Sequence, residues 1–175
     1  NCLGTLNVLE VTKNSKFIKS LVSVTSDKCY ENKGWTRGYN ENDVLGGVDP
    51  YSASKASSEL IIRAYRESFF NGKQNRGVSS ARAGNVIGGG DWSSKRLIPD
   101  CIRALKKGSP INLRNPNFNR PWQHVLEPLS GYLLLAEKVS KNKLNKVYQS
   151  WNFGPNISNC KSVKYIADYF AKSLK

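Results

Sequence analysis

The residues with the clearest chemical potential lie in the stretch Asp49-Pro50-Tyr51-Ser52-Ala53-Ser54-Lys55. Tyr51 and Lys55 are four residues apart. On a helix that spacing puts both side chains on one face, one above the other. An ammonium beside a phenol favours the phenolate, and so lowers a tyrosine pKa from its ordinary value of about 10 toward a range useful to a general base. A tyrosine that takes a proton near neutral pH is what the oxidation of an alcohol requires. Tyr-x-x-x-Lys is a loose pattern, however, and an exposed helix that carries both residues satisfies it equally well.

Three further stretches narrow the reading. Leu21-Val22-Ser23-Val24-Thr25-Ser26-Asp27-Lys28-Cys29-Tyr30 reads as a buried strand that ends in polar residues. Val78–Ala83 reads as a second short strand, and it feeds the glycine-rich turn Gly84–Asp91, where a ligand can approach the backbone closely. Ligands of open α/β sheets bind beyond the carboxyl ends of strands, so Ser26, Asp27, Lys28 and Asn85 converge on one edge of such a sheet. Arg120-Pro121-Trp122-Gln123-His124 follows a turn through Asn115-Pro116-Asn117, and the planar guanidinium of Arg120 suits a diphosphate.

These stretches, in this order, resemble the extended short-chain dehydrogenase/reductase family and within it the nucleotide-sugar 4,6-dehydratases, over nearly all of the 175 residues. Those enzymes carry hydroxyl-Asp-Glu at the strand end. The matching trio here is Ser26-Asp27-Lys28, and the lysine in place of the glutamate points to the branch acting on CDP-glucose.

The resemblance implies NAD as cofactor and a three-part reaction. Tyr51 would take the C4 hydroxyl proton while hydride leaves C4, with Lys55 lowering its pKa and binding the nicotinamide ribose. Ser26 would hold the C4 oxygen. The 4-ketone acidifies C5, Asp27 would protonate the departing C6 hydroxyl, and hydride would return to C6. Lys28, made neutral by burial, would be the C5 base. Thr25 and Arg82 would join Tyr51 and Lys55 at the cofactor, and Asn85, Arg96, Leu97, Arg114, Arg120 and Asn152 would hold the nucleotide sugar. The implied setting is cytoplasmic deoxysugar and lipopolysaccharide (O-antigen) synthesis. Helices 1–13 and 51–70 would form a homodimer's four-helix bundle.

The elements that must position these residues follow from periodicity. Helices are expected over 1–13, 51–70, 93–107 and 125–139, with a last one capped by Ser162. Apolar members include Leu3, Leu6, Val8, Leu9 and Val11 in the first, Leu60, Ile61, Ala64 and Phe69 in the second, and Leu129, Leu133 and Leu134 in the fourth. Strands are expected over 19–25, 78–83, 111–114 and around Trp151-Asn152-Phe153. Pro50 suits a first helical turn, Asn71-Gly72 a helix end, and 138–146 a solvated basic connector. The polar, turn-rich segment 30–50 could close over a substrate.

Alternation of strands and helices argues for α/β with a mostly parallel sheet. The family expectation is a Rossmann-like sheet with helices on both faces. Residues 1–92 would form its C-terminal half. Residues 93–175 would belong mainly to a smaller substrate-binding region, with 122–145 returning to the sheet domain. The expected opening strand, glycine loop and helix are missing and there is no methionine, so an interior piece of a longer protein is expected.

Lys+Arg 27 against Asp+Glu 13 gives +14, a balance that suits anionic partners. The basic residues are scattered rather than clustered, which speaks against a nucleic-acid surface. No apolar run approaches a membrane span. Cys2, Cys29, Cys101 and Cys160 lack metal-ligand spacing, and with His124 the single histidine no metal is expected. Two other readings stay open: a different nucleotide-sugar dehydratase, epimerase or decarboxylase on the same scaffold, and an inactive nucleotide-sugar-binding module.

Overall fold

The computed structural model describes residues 1–70, 76–141 and 149–173. In chain order the elements are α1 (Cys2–Asn14), β1 (Ser20–Val24), α2 (Pro50–Tyr65), β2 (Gly77–Ala83), β3 (Val86–Ile87), α3 (Leu97–Lys106), β4 (Asn119–Arg120), β5 (Gln123–His124), α4 (Leu126–Ser140), β6 (Ser150–Phe153), β7 (Lys161–Ser162) and α5 (Val163–Ser173). They fall into two compact units, residues 1–84 with 126–153, and residues 85–125 with 154–175.

The first unit is a parallel sheet in the order β1-β2-β6. Side chains alternate across it. Leu21 and Val78 meet Leu9 of α1 and Ile62 of α2 on one face. Val22, Ala81, Trp151 and Phe153 meet Leu135 and Val139 of α4 on the other. Helices therefore cover both faces, as the fold reading required. Toward the carboxyl ends of β1 and β2 the α2 face turns polar, through Thr25, Ser80 and Arg82, with Ser150 opening β6 beside Ser80, and the catalytic candidates follow the end of β1.

Helix α2 begins where its sequence dictates. The Asp49 carboxylate accepts from the Tyr51 and Ser52 backbone N–H groups, each at 3.0 Å, and from the Ser52 hydroxyl at 2.6 Å. These bonds, that from the Ser52 hydroxyl foremost, hold its carboxyl below the ordinary carboxylate range. Pro50 occupies the first turn, where no N–H is needed. The loop before it packs so closely that a Cβ on Gly47 would lie 2.4 Å from Ser52 Cβ and 2.6 Å from Ser52 C. Gly47→Ala is therefore expected to cost about 1–3 kcal/mol, read from a shifted denaturant midpoint.

The stripes of α1, α2 and α4 differ from expectation. Leu9 and Thr12 are the buried residues of α1, and Ala56 and Ile62 are the buried aliphatics of α2. Pro128, Leu135 and Val139 are buried on α4. Leu3, Val8, Val11, Leu60, Phe69, Leu129, Leu133 and Leu134 are exposed. Past Tyr65 the second helix widens into a π turn, Arg66–Phe70. Asn71-Gly72 and much of the basic connector lie outside the described residues.

The second unit holds two short ladders, β3 beside β5 in parallel and β4 against β7 antiparallel, with α3 packed on α5. Helix α3 begins at Leu97 and not at 93, because Lys95 has φ 63° and cannot continue a helix. It stops at Gly108, whose φ of 63° lets Gly108 and Ser109 N–H reach the Leu105 and Ala104 carbonyls. The strand expected at 111–114 is absent: that segment joins no ladder and bends at Arg114. The Ser162 hydroxyl accepts from Tyr165 N–H at 3.1 Å and so caps α5 as expected.

Candidate active site

Tyr51, Lys55 and Glu59 follow one face of α2 from solvent into the core. Tyr51 is 52% exposed, Lys55 is half-buried and Glu59 is buried. The spacing exposes the phenol and brings the Lys55 ammonium to the end of β1, where Nζ lies 3.5 Å from the Val24 carbonyl. Its remaining N–H groups are thus available for the hydroxyls of a ligand.

At the same strand end the chain turns through a single 3₁₀ turn, Asp27–Cys29. The Ser26 oxygen caps it, accepting from Lys28 N–H at 3.2 Å, while its hydroxyl donates to Asp27 Oδ1 at 3.0 Å. Lys28 Nζ lies 3.7 Å from Asp27 Oδ2. The expected burial of Lys28 is not found, since its side chain is 43% exposed and Asp27 is 32% exposed. The structure therefore assembles Ser26, Asp27 and Lys28 in one turn, with Lys55 reaching the same strand end from α2.

Behind them lies a network that spacing alone does not reveal. Glu59 is ion-paired to Arg82 at 2.6 Å, with side chains only 1% and 4% exposed. The Thr25 hydroxyl donates to Glu59 Oε1, and the Ser80 hydroxyl donates to Oε2 at 2.8 Å. Burial pushes the Glu59 carboxyl up, but the Arg82 guanidinium and the hydroxyls outweigh it and hold the pKa below the ordinary 4.5. Arg82 is raised in turn: desolvation opposes its charge and the bond to Glu59 more than compensates.

Arg82 also donates to the Tyr30 hydroxyl at 2.7 Å, and Tyr30 donates to Asn152 Oδ1 at 2.7 Å. Burial, partly offset by Arg82, pushes the Tyr30 phenol up to about 12. Asn152 Nδ2 donates to the Tyr39 carbonyl at 2.9 Å, and its backbone N–H donates to Glu41 at 2.8 Å. Three of the expected ligand-binding residues, Thr25, Arg82 and Asn152, are thus engaged inside the protein. They tie β1, β2 and β6 to α2 and to the loop through Tyr39 and Glu41. Glu59 was missed, although its position four residues beyond Lys55 places it on the Tyr51–Lys55 face.

That loop is braced internally. Arg37 forms a two-pronged pair with Asp43 at 2.7 and 2.8 Å and covers the Trp35 ring at 3.9 Å. Tyr39 stacks between Trp35 and Tyr30.

The other expected ligand residues belong to the second unit. Arg96 precedes Leu97 at the start of α3, and Arg114 Nη2 donates to the Lys95 carbonyl at 3.2 Å, so these three gather at one helix start. Asn85 stands before β3, and its carbonyl accepts from Gln123 N–H at 3.1 Å. The Arg120 guanidinium lies 5.4 Å from the Phe118 ring centroid. Among the described residues, no group of three or more His, Cys, Asp or Glu is placed to hold a metal ion, and no helix is long and apolar enough to cross a membrane. All four cysteines are free, and burial pushes the Cys29 thiol up to about 12.

A family model described as "NAD dependent epimerase/dehydratase family" matches residues 1–150. CDP-glucose 4,6-dehydratase of Salmonella typhimurium strain LT2 is 48% identical over 172 residues, covering 96% of this chain and 48% of the relative. dTDP-D-glucose 4,6-dehydratase of Dictyostelium discoideum is 28% identical, over 95% of this chain and 38% of its own length. The crystal structure of Bacillus anthracis dTDP-glucose 4,6-dehydratase in complex with NAD superposes with a TM-score of 0.83 at 28% identity, over 98% of this chain and 51% of that one. A UDP-glucuronic acid 4-epimerase from Bacillus cereus shares the fold, with a TM-score of 0.80 at 18% identity. The chain thus spans about half the length of the Salmonella relative and of the solved structure.

Proposed function

The chain belongs to the NAD dependent epimerase/dehydratase family, and from that premise we propose that the full-length protein converts CDP-glucose to CDP-4-keto-6-deoxyglucose. The observation that carries the proposal is the acid Asp27 set between Ser26 and Lys28 at the strand end that Lys55 reaches. A 4-epimerase needs the tyrosine and the lysine but no acid to expel the C6 hydroxyl. The identity to the Salmonella enzyme supports the cytidine nucleotide.

The donor set suits the cofactor that the family uses. Lys55 carries one long contact, to Val24, and its other N–H groups fit the hydroxyls of a ribose. NAD, when bound, accepts and later returns the hydride. Tyr51 removes the C4 hydroxyl proton, and Ser26 donates to the C4 oxygen. Lys28 takes the C5 proton and Asp27 gives one to the C6 oxygen, which leaves as water, and as hydride returns to C6 the C5 carbon takes a proton back from Lys28. The elimination thus moves one proton onto Lys28 and one off Asp27, whose side chains lie 3.7 Å apart, and the proton that Tyr51 took from the C4 hydroxyl makes good the one Asp27 gives up. Asn85, Arg96, Leu97, Arg114 and Arg120 hold the nucleotide sugar, the arginines facing its diphosphate.

Deuterium placed at C4 of CDP-glucose tests the reaction class. It is expected at C6 of the same product molecule, whereas return to C4 would mean epimerisation. Lys28→Ala tests the base: washout of the C5 hydrogen into solvent is expected to slow by about 10²–10⁴-fold, and an unchanged rate would assign that proton to another group.

A second copy of the chain is the proposed partner, through α1 and α2. The exposed Leu3, Val8 and Val11 support this. Lysine at Val11 is expected to yield monomers in sedimentation, and unaltered sedimentation would remove α1 from the interface. Four free cysteines suit a reducing cytoplasm, and a 4-keto-6-deoxy sugar suits deoxysugar assembly for lipopolysaccharide.

A further inference from the structure

The turn Ser26–Lys28 is bracketed by two residues that end on the same buried ion pair. On one side Thr25 donates to Glu59, and on the other Tyr30 accepts from Arg82 at 2.7 Å. Glu59 is itself a residue of α2, one helical turn beyond Lys55. The pair is fully enclosed, with 1% and 4% of its side chains exposed. Among the described residues it is the one ion pair with both partners buried. Replacing such a pair by apolar side chains of similar volume is often neutral or stabilising. Its presence therefore calls for a role beyond stability.

We propose that Glu59 and Arg82 are positioning residues that set the Ser26–Lys28 turn against the Tyr51–Lys55 face. Neither reaches the reacting atoms. Glu59 fixes α2 to the residue before Ser26, and Arg82 fixes the residue two beyond Lys28. The bonds are charge-assisted and directional, so they define the offset between strand end and helix more tightly than apolar packing does. The Ser26 and Tyr51 hydroxyls must meet one sugar oxygen, and a misplacement of about 1 Å there costs on the order of a hundredfold in rate. Ser80 and Asn152 complete the frame, because Ser80 donates to Glu59 and Asn152 accepts from Tyr30.

The inference rests on the dehydratase reading, and its test separates the two. Thr25→Val and Tyr30→Phe each remove one hydroxyl while leaving the ion pair and the packing volume in place. They are made in the full-length protein and assayed with CDP-glucose. Each is expected to lower kcat by about ten- to a hundredfold. KM should stay within about twofold and the bound NAD content near that of the parent, while the melting temperature falls by a few degrees and the proteins remain folded at the assay temperature. Thr25→Ser is expected to restore kcat, since it returns the donor to Glu59. Folded Thr25→Val and Tyr30→Phe proteins with the parent kcat would overturn the proposal and leave the dehydratase reading intact. So would a rise in KM or a loss of NAD that accounts for the rate, because that would mean direct ligand contact. A parent protein inactive on every nucleotide sugar would overturn both.

Discussion

Tyr51→Phe is expected to lower turnover of CDP-glucose by about 10²–10⁴-fold, the usual contribution of a positioned general base. The loss should fall on kcat rather than on folding. Tyr51 is 52% exposed and lies in the first turn of α2, whose start is held by Asp49 and Pro50 and not by the phenol. Deleting one hydroxyl leaves those bonds untouched. Binding of the nucleotide sugar should survive, since the nucleotide-binding candidates lie elsewhere in the chain. The check is a steady-state comparison at one pH, with the melting temperature of each protein measured alongside. A variant within tenfold of the parent would mean that another group takes the C4 proton.

Arg82→Met is the largest stability change expected, a loss of about 3–5 kcal/mol, because it leaves the Glu59 carboxylate enclosed without its partner. The pH dependence should distinguish this cause from lost packing. In the parent the Glu59 pKa is depressed below 4.5. The pair therefore stabilises the fold above pH 4.5, and this contribution is lost as pH falls through the lower folded-state value. Without Arg82, burial is opposed by the hydroxyls and by the more distant Arg66 guanidinium, and drives that pKa upward. The penalty in Arg82→Met should therefore be greatest near neutral pH and shrink as acid protonates Glu59. Glu59→Gln in the Arg82→Met background should recover much of the loss at neutral pH. A deficit independent of pH, unrelieved by Glu59→Gln, would show that the carboxylate is not its source.

The candidate catalytic face was legible because it is local. Tyr51 and Lys55 are one helical turn apart, and Ser26, Asp27 and Lys28 are adjacent, so periodicity and a strand end suffice to place them. The Glu59–Arg82 network was not, because its members are far apart in the chain and meet only when β1, β2 and β6 align under α2. Strand β2 illustrates the difficulty. Gly-Val-Ser-Ser-Ala-Arg-Ala reads as a buried strand and is one, yet Ser79, Ser80 and Arg82 are buried along with its apolar residues. Segment 111–114 had a strand-like composition but found no partner ladder, and pairing is a long-range property that composition does not carry. The start of α3 was displaced by the backbone of Lys95, a left-handed conformation that side-chain pattern does not announce. The leucines of α4 gave an apolar count without a direction, and Pro128, Leu135 and Val139 took the sheet side.

The most direct test of the central claim is to incubate the full-length protein and NAD⁺ with CDP-glucose, and in parallel with dTDP-glucose, and to follow the alkaline ultraviolet absorbance of a 4-keto sugar. Signal is expected from CDP-glucose alone. Signal from dTDP-glucose alone would contradict the nucleotide assigned through Lys28, and silence from both with NAD bound would contradict the dehydration itself.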